Sequence, residues 1–335
     1  MLTIDKSWVY SLDMLMPFRS ITHREGMILR CQDRYREWSP FVEYGDQEAS
    51  RWLKAALEDE SDYARYRRLR TEVGINVTVP ITTPQRAYEL VGLSKAQVAK
   101  VKVADPRTDL NDDLIRLQAV REALGKDGYI RIDANGAWTP SQALDALRLF
   151  APIGLDYVEQ PCATVEELAD LKERLGDLDV RIAADESIRK AEDPYRVAAL
   201  GAADVVILKV QPLGGIASCC AIQEQIGLSG VISSALESSV GISRGIEAAL
   251  RIPSLDGACG LGTVSLFSED VASSPLIPVE GKIEGKRVED YCMIGRHIDS
   301  DRLISHMASP ERQQWWNRRL ERCLEIVSQW EKERL

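Results

Sequence analysis

Residues 129–159, YIRIDANGAWTPSQALDALRLFAPIGLDYVE, hold one complete strand–helix–strand unit. The runs YIRID (129–133) and LDYVE (155–159) are short, mostly apolar and rich in β-branched or aromatic residues, as buried parallel strands are. Between them Thr139 and Pro140 supply an N-cap and a first-turn proline, and Leu144, Leu147 and Phe150 return at helical spacing. Each strand closes on a carboxylate, Asp133 and then Glu159.

The same rhythm runs outward in both directions. Strand-like runs occur at INVTVPI (75–81), AKVKVA (99–104), VRIAAD (180–185), DVVILK (204–209) and VISSAL (231–236), with a weaker one at ACGLGT (258–263). Thr164 and Glu167 form a capping box ahead of Leu168, Leu171 and Leu175. The polar residues closing successive strands are Asp133, Glu159, Asp185, Lys209 and Ser233, separated by 26, 26, 24 and 24 residues. One strand, loop and helix use that length, so consecutive strand ends return to one height. In a closed barrel those ends form a single rim, where active sites sit. An open doubly wound sheet is the alternative, and the chain lacks the Gly-x-Gly-x-x-Gly turn usual there. The expected fold is α/β, with a (β/α) barrel over residues 75–275.

The flanks differ. DQEASRWLKAALE (46–58) puts Ala49, Trp52, Leu53, Ala56 and Leu57 on one helical face, and GMILRCQDRYREWSPFVEY (26–44) reads as strand and turn. Residues 1–74 are therefore expected to form an α+β capping domain, completed by 276–300. Residues 301–335 read as an amphipathic helical tail with Trp316, Leu320, Cys323, Val327 and Trp330 along one seam, suited to packing on the barrel or on a partner subunit.

With 45% hydrophobic and 28% charged residues the chain is an ordinary globular one. A formal charge of −10 argues against nucleic acid as a partner, since phosphates call for excess Lys and Arg. No apolar run reaches the roughly 18 residues of a membrane span, and acidic residues in the first segment argue against a signal peptide. Seven cysteines without metal-ligand spacing read as reduced thiols of a cytoplasmic protein. The three histidines are scattered, which weakens a zinc or His-triad reading.

Asp133, Glu159 and Asp185 would crowd three carboxylates on adjacent strand ends, where like charges raise each other's pKa. A hard divalent cation with oxygen ligands removes that conflict. Singly, each acid has a plainer role as a turn, strand-end or capping residue; the shared period favours the joint one. Lys100 and Lys102 alternate with Val101 in a strand, so both point inward, which is costly unless they meet carboxylates or do chemistry. A structural ion pair is the plainer reading of Lys100. Lys209 closes a strand across the ring. Lysines flanking a metal suit removal of a proton next to a carboxylate, where charge builds on the carboxylate oxygens. The implied partner is a small-molecule carboxylate. The segment Ser233-Ser234-Ala235-Leu236-Glu237-Ser238-Ser239 offers free N–H groups before a helix for an anionic group, or merely a polar turn. Gly214-Gly215 and the Gly260–Gly262 segment are weaker signals of close backbone approach.

As an ordered set, Lys100-Val101-Lys102, Asp133-Ala134-Asn135, Glu159-Gln160-Pro161, Asp185-Glu186-Ser187, Lys209 with Gly214-Gly215, and the serine segment resemble the enolase superfamily, and within it the o-succinylbenzoate synthase family. Val210-Gln211-Pro212 after Lys209 and the length of chain beyond Ser309 depart from that pattern. The resemblance implies a modified (β/α)7β TIM-like barrel with an N-terminal α+β capping domain. It implies Mg2+, with Mn2+ as a substitute, on Asp133, Glu159 and Asp185. Lys102 would abstract the α proton, Lys209 would stabilise the enediolate, and Lys100 would assist electrostatically. Ser233, Ser234, Gly260 and Gly262 would contact substrate, with Asn135 and Glu186 supporting; cap-loop residues such as Arg19 are further candidates. The implied reaction is dehydration of 2-succinyl-6-hydroxy-2,4-cyclohexadiene-1-carboxylate in menaquinone biosynthesis. N-acylamino acid racemase, dipeptide epimerase and muconate cycloisomerase activities remain alternatives. So do a Schiff-base aldolase on Lys209 and an inactive barrel acting as a binding protein, and a homo-oligomer is left open.

Overall fold

The computed structural model describes residues 2–18, 21–188, 193–293 and 296–333. An antiparallel meander opens the chain: β1 (Lys6–Phe18), β2 (Ile21–Cys31) and β3 (Arg34–Trp38), in the order β1-β2-β3. Helix α1 (Asp46–Ala56) then buries Ala49, Trp52 and Leu53. β1 has no counterpart in the sequence reading. Trp8, Val9, Tyr10 and Leu12 are all buried, so the strand's apolar residues do not alternate cleanly and its period is blurred.

The barrel follows a short β4 (Glu72–Gly74). Its elements are β5 (Val77–Val79), α2 (Pro84–Ser94), β6 (Val98–Lys102), α3 (Leu110–Leu124), β7 (Tyr129–Asp133), α4 (Pro140–Phe150), β8 (Leu155–Glu159), α5 (Val165–Arg174), β9 (Arg181–Ala184), α6 (Asp193–Ala199), β10 (Val205–Leu208), α7 (Ile216–Ile226), β11 (Ser229–Ile232) and α8 (Ser239–Arg251). β5 to β11 form one parallel sheet in sequence order. Thr139 and Thr164 cap α4 and α5 with reciprocal bonds to Gln142 and Glu167.

The run expected as an eighth strand at 258–263 is reduced to bridging pairs. Cys259 bridges Ile75 and Gly260 bridges Ser233, both in parallel sense, so these residues join the two edges of the sheet and close the ring. The run expected at 231–236 is also shorter. β11 stops at Ile232 and Ser233 only bridges Gly260; beyond it Leu236 turns left-handed (φ 62) and Glu237 folds back to accept the Ala235 N–H at 2.6 Å.

Beyond the ring, β12 (Lys282–Glu284) pairs antiparallel with β4, and Met293 bridges Arg34 at the cap's edge. The tail comprises α9 (Ser300–Ser305) and α10 (Pro310–Lys332). α10 buries Trp316, Cys323 and Val327 against the cap, with Trp38 and Trp316 edge to face at 5.4 Å. Glu25 on β2 accepts from Trp316 Nε1 at 3.1 Å and from Arg312 Nε at 2.9 Å. The tail is thus part of the cap's core. Among the described residues, no helix is long and apolar enough to cross a membrane.

Trp316→Ala removes a fully buried indole and its edge-to-face partner. The expected cost is about 3–5 kcal/mol of unfolding free energy, measured by urea denaturation. A cost below about 1 kcal/mol would mean that the tail is dispensable to the fold.

Candidate active site

The barrel register sets the site. Lys102 pairs with Asp133 and Asp133 with Glu159 on three adjacent strands, so these residues lie at one height. Asp185 and Lys209 each sit one residue past the end of β9 and β10. All three acids are only 1% exposed. Their fine placement comes from left-handed residues in the adjoining loops. Asn135 (φ 48) donates its N–H to Asp133 Oδ1 at 3.0 Å. Gln160 (φ 38), fully buried, accepts the Asp185 N–H at 2.9 Å and the Ser187 N–H at 3.2 Å through its side-chain oxygen, locking the end of β8 to the end of β9.

Each acid meets an ammonium. Lys100 bridges Glu159 and Asp133, the latter at 3.0 Å. Lys102 donates to Asp133 Oδ2 and to Asn135 Oδ1, both at 2.6 Å, and Asn135 in turn donates to Glu186 at 3.2 Å. Lys209 donates to Asp185 Oδ2 at 2.6 Å. The predicted supporting residues Asn135 and Glu186 therefore form a chain leading from Lys102.

Electrostatics separate the acids. Burial alone would raise Asp133, but Lys100 and Lys102 outweigh it and hold its carboxyl well below the usual range. Glu159 is pushed up to about 8, by burial first and then by Asp133, with Asp185 adding to the push and Lys100 opposing it. Burial would lower Lys100, yet Asp133 and Glu159 keep it well above its ordinary value. Glu159 thus bears the repulsion of the trio.

A small cavity of about 40 Å³ opens between the three lysines, Asp133, Asn135 and Asp185, completed by Thr78, Ser233, Ser234, Gly260 and Thr263. Gly262, expected beside Gly260, is not among the lining residues. It lines a separate, largely apolar groove with Leu15 and Leu93, while the next residue, Thr263, returns to the cavity. Arg19 lies outside the described residues. Sequence reasoning missed Thr78 and Thr263 as lining residues, since neither carries a charge or motif to mark it, and it did not single out Ala235 and Leu236 within the serine segment it quoted.

Among the described residues, no three His, Cys, Asp or Glu side chains stand ready as a metal cage. Ammonium groups lie on the acids instead. The donors still fit a hard cation: three buried carboxylates on adjacent strands, close enough for Asp133 and Asp185 both to act on Glu159.

Residues 84–287 match the family model for enolase C-terminal domain-like proteins, and residues 9–59 match that for enolase N-terminal domain-like proteins. The o-succinylbenzoate synthase of Mycolicibacterium smegmatis is 44% identical over 97% of both chains. That of Thermobifida fusca is 46% identical over 84% of this chain and 87% of its own. The chain belongs to the o-succinylbenzoate synthase family of the enolase superfamily. The fold agrees. The N-succinyl Arg/Lys racemase of Bacillus cereus superposes with a TM-score of 0.75 over 90% of this chain and 97% of its own, at 19% identity. The muconate lactonizing enzyme of Pseudomonas fluorescens superposes at 0.73 over 92% of this chain and 100% of its own, at 20% identity.

Lys100→Met would leave Glu159 buried without its ammonium and Asp133 with Lys102 alone. Metal-free variant protein is expected to lose about 3–5 kcal/mol of stability. Added Mg2+ should raise its Tm more than it raises the wild-type Tm. Equal Mg2+ shifts in thermal melts of the two proteins would show that Lys100 and the cation do not compensate the same charges.

Proposed function

We propose a division of labour around the ring for the family's reaction, dehydration of 2-succinyl-6-hydroxy-2,4-cyclohexadiene-1-carboxylate to o-succinylbenzoate, a hydro-lyase step of menaquinone biosynthesis. One observation carries it. In a ring of eight positions, counted from β5 and ending at residues 259–260, Lys102 stands on the second and Lys209 follows the sixth. The two ammonium groups therefore face each other across the barrel mouth. Asp133, Glu159 and Asp185 occupy the arc between them, and Ser233, Ser234, Gly260, Thr263 and Thr78 form the neutral arc opposite.

A ring substrate held between the lysines presents one face to each. Lys102, as a neutral amine, would take the proton α to the carboxylate and return it to the departing hydroxyl on the same face. Lys209, as an ammonium on the other face, would stabilise the negative charge that develops on the carboxylate oxygens. Lys100, one turn of the pleat deeper, would balance charge in the acidic arc. Asp133, Glu159 and Asp185 would hold Mg2+, or Mn2+ in its place, which when bound supplies Lewis-acid stabilisation of the substrate carboxylate. The hydroxyls of Ser233 and Ser234 and the backbone at Gly260 would receive the succinyl end.

The charges explain why substrate and cation belong together. Lys100, Lys102 and Lys209 already neutralise the acidic arc, so a divalent ion brings excess positive charge that an anionic substrate offsets. The racemase and lactonizing-enzyme neighbours share the fold at about 20% identity and carry no argument for their own reactions here. A Schiff base on Lys209 is disfavoured by its ion pair with Asp185, and a binding-only role by the intact set of buried charges. All seven cysteines are free and buried, in keeping with a cytoplasmic setting.

Lys102→Ala is expected to lower kcat by at least roughly a thousandfold while leaving Mg2+ affinity within a few-fold. Asp185→Asn should weaken Mg2+ binding by about tenfold or more in calorimetric titration. The check is Mg2+-dependent o-succinylbenzoate formation by the purified protein. Substantial turnover by Lys102→Ala would remove it from the base role, and unaltered Mg2+ dependence in Asp185→Asn would remove that ligand.

A further inference from the structure

Two helices that follow active-site residues begin under carboxylates from the other domain. α7 starts seven residues beyond Lys209, and its N-cap Gly215 has no side chain to offer. Glu58, just past the end of α1 in the cap, fills the place: its carboxylate accepts the N–H groups of Ile216 and Ala217, each at 2.8 Å. Arg244 on α8 pairs with the same carboxylate at 2.5 Å. Any Cβ on Gly215 would collide with Glu58, and its φ of 132 already excludes ordinary side chains. The link back to Lys209 is short and wound, with Leu213 N donating to Lys209 O at 3.1 Å and Gly215 N to Val210 O at 2.9 Å.

α8 repeats the device. Glu37 on β3 accepts the N–H groups of Ser238 at 3.1 Å and Gly241 at 2.9 Å, together with the Ser238 hydroxyl. Tyr10 and Ser39 hold its other oxygen at 2.7 and 2.8 Å. Just upstream, buried Arg24 on β2 donates Nε to the carbonyl of left-handed Leu236 at 3.1 Å. Segment 235–238 is thus gripped from the cap at both its carbonyls and its N–H groups. Ser233 to Leu236 line the cavity. A carboxylate at a helix N-terminus meets both unsatisfied N–H groups and the positive end of the helix dipole, so each grip is directional.

We infer that Glu58 and Glu37 are positioning residues that act across the domain boundary, Glu58 setting the Lys209 loop and Glu37 setting the Ser233–Ser234 loop. The inference rests on the roles proposed above for those two loops. It makes the cap a determinant of barrel geometry as well as a cover, and it assigns the two glutamates different kinetic signatures. Lys209 acts on charge that develops during reaction, so misplacing it lowers kcat. The serine loop holds substrate, so misplacing it raises KM.

Isosteric Glu58→Gln and Glu37→Gln test this in the full-length protein, with Val120→Ala on α3, a buried position across the ring from both loops, as a control that loosens the fold elsewhere. Expected are a kcat about tenfold lower with KM within about threefold for Glu58→Gln, and a KM about tenfold higher with kcat within about threefold for Glu37→Gln. Val120→Ala should lower Tm and leave both parameters unchanged. Amide hydrogen exchange, read without substrate, should quicken at 216–217 in the first variant and at 238–241 in the second. Losses that merely follow the folded fraction, the same parameter moving in both variants, or exchange at those amides matching wild type would overturn the inference. If wild type forms no o-succinylbenzoate, the proposed reaction fails, and the exchange data still decide whether the glutamates grip their helices.

Discussion

Three carboxylates stripped of water on neighbouring strands repel one another, and a folded chain tolerates them only with positive charge in their midst. In this protein the charge comes from Lys100, Lys102 and Lys209, each in contact with at least one of the acids. The arrangement is costly as pure architecture, since apolar residues of similar volume would fill a barrel mouth as stably. What it would provide, on the role proposed for these residues, is an exchangeable balance. Under the proposed function, ammonium groups that neutralise the acids in one state would be free to face substrate in another, once a cation took over their partners.

That exchange needs rigid surroundings, because a displaced lysine is useful only if it moves to a defined place. The neighbours supply rigidity through single residues in unusual conformations. Gln160 ties Asp185 to the end of β8, Asn135 orients Asp133 while accepting from Lys102, and Leu236 turns the serine loop inward. The cap holds the remaining arc through carboxylates on two barrel helices. Its own order depends on α10 closing over β2 and β3, so the far C-terminal segment stands behind the active site at two removes.

The acidic arc and the facing lysines were legible in the sequence because a repeating βα unit maps strand ends onto one rim. A spacing of 26, 26, 24 and 24 residues from Asp133 to Ser233 is a geometric statement, and Lys100 and Lys102 share a face by strand pleat alone. The neutral arc was less legible. Thr78 and Thr263 carry no spacing signal, and the closure at 259–260 uses isolated bridges where a strand was expected. Gly262 lines the neighbouring groove, which a Gly-x-Gly run gives no means of foreseeing. Glu37 and Glu58 lie 201 and 158 residues from the N–H groups they accept, a separation no local pattern spans. Only Gly215 hinted at them, as a position where something had to approach closely.

The decisive measurement is anomalous scattering from crystals soaked in Mn2+, which locates the ion directly. The charge-exchange scheme predicts a single strong site ligated by Asp133, Glu159 and Asp185, with Lys102 and Lys209 turned from the acids toward the cavity on either side. Manganese bound elsewhere, or lysines still seated on the carboxylates at saturating Mn2+, would contradict it.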